Sequence, residues 1–285
     1  MIKSSDVDDA AERIAPFVVR TPVLRSDALD DWLGATVFVK AEHKQHTGAF
    51  KFRGATNAVR SLTDADAASG VAAHSSGNHA AALARAASER GIPAYVVMPE
   101  NTSPVKVASV RGYGAEVTWC EPTNEARRRG LDAVIARTGA VEIHPFENPR
   151  VIAGAGTAAR ELLVEVPDLD VLVTPVGGGG LCSGTCIASA PRRVIGGRPV
   201  DRFATIADGL RTGTSPFTEA ILHEHDVELL AIEEDAINDA RRAVEEHLGE
   251  RIEPSAAVAF AAARASNLRG VRAGIICSGG NVSGP

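Results

Sequence analysis

Short apolar, β-branched runs alternate along this chain with longer alanine-rich stretches whose apolar positions recur at helical spacing. The short runs predict strands at 36–40 (TVFVK), 71–74, 94–98 (AYVVM), 116–119, 171–176 (VLVTPV), 227–232 and 273–277 (AGIIC). The longer stretches predict helices at 51–61, 78–90, 104–112, 124–138, 150–165, 180–190, 234–247 and 255–268, the last opening on Pro254 and Ser255. Strands that alternate with helices in this way form mostly parallel sheets flanked by helices, so the fold class is α/β. No internal repeat interrupts the pattern. In such a sheet, ligands lie beyond the carboxyl ends of the strands, which directs attention to the strand-to-helix turns.

Composition narrows the class of function. Hydrophobic residues make up 45% and charged residues 23% of the 285 positions, which excludes disorder and leaves room for one large domain or two lobes. A net charge of −6 with a pI near 5.8 argues against a nucleic-acid partner, and Arg127, Arg128 and Arg129 read as a solvated helix face. A small-molecule partner is expected instead. The opening MIKSSDVDDAAERI is acidic and polar, unlike a signal peptide, and no apolar run reaches the length of a membrane span, so the expected location is cytoplasmic and no membrane partner is expected. Cys120, Cys182, Cys186 and Cys277 are too scattered for a disulfide framework and lack partners for a zinc set.

Four turns carry the candidate chemistry. Lys51, in TGAFKFRGA, is a primary amine suited to a reversible Schiff base with an aldehyde cofactor. Gly177, Gly178, Gly179 and Gly180 follow VLVTPV and open a helix; without Cβ atoms, their backbone N–H groups can close on a phosphate at the positive end of a helix dipole. The spacing differs from a dinucleotide fingerprint. Ser75, Ser76, Asn78 and His79, in SSGNH, place neutral donors at a helix N-terminus, as a substrate carboxylate requires. Helix capping alone would also explain that cluster. Ser278, in SGG, puts a hydroxyl at the end of AGIIC, where a pyridine nitrogen facing it would stay largely unprotonated; this disfavours transamination and suits elimination or racemisation.

Together these segments resemble the fold-type II pyridoxal-phosphate enzymes, within them the serine/threonine dehydratase and serine racemase family. The resemblance runs from RTPVLRS through TGAFKFRGATNAV, AAHSSGNHAAALA, VMPENTSPVKVASVRGYGAEV, HPFENPRVIAGAGT, PVGGGGLCSGT and TIADGLRT to SGGN. It implies a two-lobed, tryptophan synthase β-like fold, with 1–69 and 146–285 forming a large cofactor lobe and 70–145 a small lobe carrying the carboxylate loop. The implied cofactor is pyridoxal 5'-phosphate. By the same resemblance, Lys51 holds it and takes the substrate α-proton; Phe50 packs on the ring; Asn78 meets the ring oxygen; Gly177 to Gly180 and Leu181 bind the phosphate; and Ser278 meets the ring nitrogen. Ser75, Ser76, Asn78 and His79 take the substrate carboxylate, and Ser76 is the acid or base on the opposite face in a racemase. The implied activity is dehydration of threonine, serine or 3-hydroxyaspartate to a keto acid and ammonia. Racemisation of serine or an aspartate-type substrate is the alternative, and a cofactor-binding protein without turnover is the second. The sulfhydrylase branch fits less well because a threonine normally stands where His79 does. A homodimer is implied as well.

Two departures bear on activity. After VIG at 194–196 the family's acidic divalent-metal segment is missing, so no metal ligand is assigned and dependence on Mg²⁺ is in doubt. The chain also ends at Pro285, soon after SGGNV, and LRTGTSPF replaces a longer loop. If the strand at Val194 were cut short, the large sheet would be incomplete and turnover would be low.

Overall fold

The computed structural model describes residues 2–282, and the chain end at Pro285 lies outside them. Two sheets organise the molecule. The larger contains β1 (Val23–Leu24), β2 (Thr36–Lys40), β7 (Val171–Pro175), β8 (Arg193–Pro199), β9 (Glu228–Ile232) and β10 (Arg272–Ile276), in the order β1-β2-β10-β7-β8-β9. Every pairing in it is parallel except that of β1 with β2. The smaller contains β3 (Val71–His74), β4 (Ala94–Pro99), β5 (Glu116–Cys120) and β6 (Val141–Glu142), in the order β5-β4-β3-β6, all parallel. The α/β expectation of mostly parallel sheets flanked by helices therefore holds.

The flanking helices are α1 (Ser4–Ile14), α2 (Asp27–Leu33), α3 (Lys51–Arg60), α4 (Asp64–Ala68), α5 (Asn78–Arg90), α6 (Pro104–Gly112), α7 (Asn124–Thr138), α8 (Pro149–Glu165), α9 (Gly180–Ser189), α10 (Pro216–Glu224), α11 (Glu234–Leu248) and α12 (Pro254–Ala265). No helix among the described residues is long and apolar enough to cross a membrane. Helix α12 is buried continuously from Ser255 to Ala263, so its alanine-rich sequence reflects contact with neighbours all round rather than on one face.

Strand β8 is complete despite the short segment that follows it. It stays in register with β7 to the end of that strand, Pro175 opposite Gly197, and with β9 to its own end, Pro199 opposite Ile232. The physical ground for expecting an incomplete large sheet is thereby removed.

Helix α3 connects the two sheets. Phe52, Ala55, Ala58 and Val59 are buried in the same apolar cluster as Val71, Leu83, Val96 and Met98 around the smaller sheet. The residues just before α3 bridge to the larger sheet: Ala49 pairs with Gly279, and the Phe50 N–H donates to the Ser278 carbonyl at 3.0 Å. At the base of α3, the fully buried Arg53 donates to Glu42 at 2.7 and 2.9 Å and to Glu161 at 2.8 Å, while Lys40 lies 2.7 Å from Glu161. Burial alone would lower the Arg53 pKa, but Glu42 and Glu161 together raise it, so the guanidinium stays charged. Close packing against α8 completes the anchorage, since a Cβ at Gly154 would fall 2.7 Å from the Arg53 carbonyl oxygen.

Candidate active site

The structure brings the four sequence motifs to one cleft edge, at the carboxyl ends of the central strands. Lys51 is the first residue of α3, and its Nζ donates to the Pro145 carbonyl at 2.9 Å. Burial pushes its pKa down to about 8, so an appreciable fraction of the amine is free near neutrality. Its Nζ also lies 5.2 Å from the Phe50 ring centroid. Phe50 packs against the cluster that contains Leu181 and Ile276, which links the lysine turn to the first turn of α9.

The glycine loop has free backbone donors and a close-packed backbone, the form an anion cradle requires. Among the described residues, no hydrogen-bond acceptor faces the backbone N–H groups from Gly177 to Cys182; the Ser183 N–H is the first to be taken, by Gly179 O at 2.8 Å. Gly179 has φ +87, in the left-handed region that favours glycine. A Cβ at Gly178 would lie 2.2 Å from the Phe146 ring, so that position has room only for hydrogen. From the other side, Thr218 Oγ1 donates to Gly178 O at 2.9 Å and ties the loop to the start of α10. These unpaired donors at the start of α9 suit a phosphate. The buried amine, the cradle and Ser278, whose side chain makes no hydrogen bond to a described residue, fit pyridoxal phosphate as a group.

The SSGNH turn divides into two parts. Ser75 and Ser76 are half-buried at the turn; the Ser75 hydroxyl accepts from the Gly77 N–H at 3.3 Å, and Ser76 makes no side-chain hydrogen bond to a described residue. The first N–H groups of α5 have no intrahelical acceptor and point to the same place. His79 is placed differently: it is 3% exposed, and its Nε2 pairs with the Ile143 carbonyl at 2.8 Å. Burial first, and then the Lys51 charge, lower its pKa to about 3 against the opposing Ile143 hydrogen bond, so the ring is neutral. With Nδ1 buried and Nε2 paired, it is the backbone N–H at the start of α5 that can face a carboxylate.

Asn78 is held from two directions. Its Nδ2 donates to both carboxylate oxygens of Glu253, at 3.0 and 3.1 Å, and its Oδ1 accepts from Asn281 Nδ2 at 3.0 Å. The sequence predicts a helix start at Pro254 and Ser255 and assigns no role to Glu253 before them. The clue was an acidic residue at an N-cap position that follows the apolar Ile252.

Three further groups emerge only in the fold. His144 Nδ1 accepts from the Glu147 N–H at 2.9 Å, and its ring meets His74 at 6.3 Å and Phe146 at 4.6 Å. His74 ends β3, immediately before the SSGNH turn, and its pKa is lowered by burial and, more weakly, by Arg127. Arg127, in the first turn of α7, departs from the expectation of a solvated arginine face. It is half-buried, its Nε is enclosed without a partner, and its side chain pairs with no described residue, whereas Arg128 pairs with Asp132 and Glu142. Because β3, β4 and β5 run parallel, the starts of α5 and α7 lie at the same sheet end, and Arg127 is near enough to His74, just before the SSGNH turn, for its charge to act on that imidazole. No cluster of three metal-ligating side chains occurs among the described residues.

A family profile described as "Pyridoxal-phosphate dependent enzyme" matches residues 14–279. The chain is 43% identical to the beta-hydroxyaspartate dehydratase of Paracoccus denitrificans, over 97% of this chain and 95% of that protein. It is 40% identical to the L-threo-3-hydroxyaspartate ammonia-lyase of Saccharomyces cerevisiae, over 97% and 92%. The crystal structure of serine racemase from Dictyostelium discoideum superposes with a TM-score of 0.94 at 38% identity, covering 99% of each chain.

Proposed function

The chain belongs to the pyridoxal-phosphate-dependent enzymes, in the group of serine racemases and hydroxyaspartate dehydratases, and from that premise we propose that it dehydrates a 3-hydroxyaspartate to a keto acid and ammonia. The observation that carries the choice of substrate is Arg127. A half-buried guanidinium without a partner leaves one buried donor, Nε, unpaired, a cost that a ligand carboxylate would remove. Serine and threonine have only the α-carboxylate, whereas 3-hydroxyaspartate has a second.

Within this proposal, Ser75, Ser76 and the free N–H groups of α5 hold the α-carboxylate, and Arg127 with His74 takes the β-carboxylate. The glycine cradle holds the cofactor phosphate, Asn78 and Ser278 face the ring, and Phe50 packs on it. The cofactor supplies an electron sink for the charge left at Cα. Lys51, whose lowered pKa keeps its amine partly free, removes the α-proton; the β-hydroxyl takes that proton from the lysine ammonium and departs as water, and hydrolysis of the released enamine gives the keto acid and ammonia. Names borne by two similar proteins, a beta-hydroxyaspartate dehydratase and a 3-hydroxyaspartate ammonia-lyase, support the same choice. Racemisation is the second reading, and it rests on Ser76, whose unpaired hydroxyl stands at the turn where an opposite-face acid would be needed.

The test is a substrate panel of 3-hydroxyaspartate stereoisomers, serine and threonine, following keto acid and enantiomer composition together, with Lys51→Ala as the inactive control. We expect kcat/KM for one 3-hydroxyaspartate isomer to exceed that for serine by about 10²-fold or more, and Arg127→Ala to erase most of that preference while sparing serine. Equal rates on serine would reject the substrate choice. Inverted amino acid without keto acid would favour the racemase, and neither product would favour a binding protein.

A further inference from the structure

Glu253 is 6% exposed and pairs with no cation among the described residues, yet it lies against Asn78 on one side and against Gly279, next to Ser278, on the other. From α5, Asn78 gives both its contacts through one nitrogen. From the C-terminal turn, the Glu253 carboxylate crowds Gly279 so closely that a Cβ there would lie 2.6 Å from Oε1, and Gly279 is the neighbour of Ser278. The Glu253 backbone N–H donates to Gly279 O at 3.1 Å, and the Asn281 N–H also faces the carboxylate. We propose that Glu253 is a positioning residue, whose carboxylate fixes which end of the Asn78 amide is presented to the cofactor ring and couples Asn78 to the turn that carries Ser278.

The argument is one of donors and acceptors. An ionised carboxylate only accepts, so Asn78 must turn its NH2 toward Glu253, where it meets both oxygens, and it is this donor end that is presented to the ring oxygen. A protonated carboxyl can donate its own O–H to Asn78 Oδ1 and so permits the opposite orientation, in which the Asn281 amide, now donating to Asn78 Oδ1 and the Thr47 carbonyl, must turn as well. Burial, chiefly, raises the Glu253 pKa to about 7 against the Asn78 hydrogen bond, which places this change of role within the working range of most enzymes. The other charged or titratable groups within reach are Asp208 on the turn after β8, which raises the pKa, Lys106 on α6, which lowers it, and the Cys277 thiol at the end of β10, itself pushed well up by burial and by Glu253. Lys106 and Asp208 are paired with each other, so their fields on Glu253 largely cancel.

The inference rests on the cofactor assignment but not on the choice of substrate. It is tested on the holoenzyme by recording the visible absorption of the bound cofactor, and its dissociation constant, from pH 6 to pH 8.5. We expect the wild type to change its absorption in one ionisation near pH 7 and Glu253→Gln to keep a single spectrum throughout. At pH 8 the variant should bind the cofactor about tenfold more weakly than the wild type. Adding Glu253→Gln to Asn78→Ser should cause less than a twofold further loss, because the glutamate acts through the asparagine. Glu253→Asp should restore an ionisation, and if the Gln variant fails to fold, Asn78→Ser alone must abolish the wild-type transition. A wild-type spectrum independent of pH, a transition that persists in Glu253→Gln or Asn78→Ser, or losses that multiply in the double variant would each overturn the inference. Absence of any cofactor binding by the wild type would instead reject the cofactor assignment.

Discussion

His79 shows how burial changes the role of a residue within an otherwise exposed-looking motif. Its ring is neutral because a charged imidazole would have to leave water and lie near Lys51. The folded pKa of about 3 lies below the ordinary 6.5, so the unfolded chain binds the proton first as pH falls, and stability is lost from about pH 6.5 down to pH 3. Between pH 7.5 and pH 4.5 this one group should cost the wild type about 2.5 kcal/mol, a loss that His79→Gln should lack. Urea unfolding of both proteins at the two pH values measures the difference. The sequence marks His79 as part of a carboxylate loop because its neighbours have that chemistry. Only the Ile143 carbonyl, 64 positions further on, shows where the ring goes. Arg127 is the converse case, since in sequence it is indistinguishable from Arg128 and Arg129, and its lack of a partner follows from where the first turn of α7 meets β3.

At the scale of elements, legibility followed length and pattern. Helices α5, α6 and α7 begin and end where periodicity, turn residues and terminal glycines place them. The two-residue strands β1 and β6 are too short to show alternation, and α1 and α2 escaped because only Val7, Ala10 and Ile14 in the one and Leu29 and Leu33 in the other are buried. Strand β8 was obscured by Gly196 and Gly197, which make room for Val176 and Leu229 on one face and for α12 on the other. Helix α3 was located from its sequence, but not its anchorage. Arg53 pairs with the buried Glu42 and the half-buried Glu161, so Arg53→Met leaves Glu42 without its counter-charge and Glu161 with Lys40 alone, and should destabilise the protein by about 3–5 kcal/mol. A thermal melt reads this directly, and a variant as stable as the wild type would show that the cluster contributes no net stability.

The whole molecule is less divisible than its two sheets suggest. Every strand of the smaller sheet lies between residues 71 and 142, but the apolar cluster against that sheet is completed by Phe52, Ala55, Ala58 and Val59 of α3 and by Val151 of α8. A fragment covering 70–145 should therefore lack a fixed near-ultraviolet circular dichroism signal and show no cooperative melting, whereas a fragment extended to 46–165 should regain at least part of both. Cooperative melting of the shorter piece would mean that α3 is dispensable to that core. The same helix bears on how motion could reach the chemistry. Its first residue is Lys51, its flank lies in the core of one sheet, and the turn before it is stitched to the end of the other. A rotation of the smaller sheet relative to the larger would thus turn the lysine's own mount, so that opening the cleft and re-aiming the amine would be a single mechanical event rather than two.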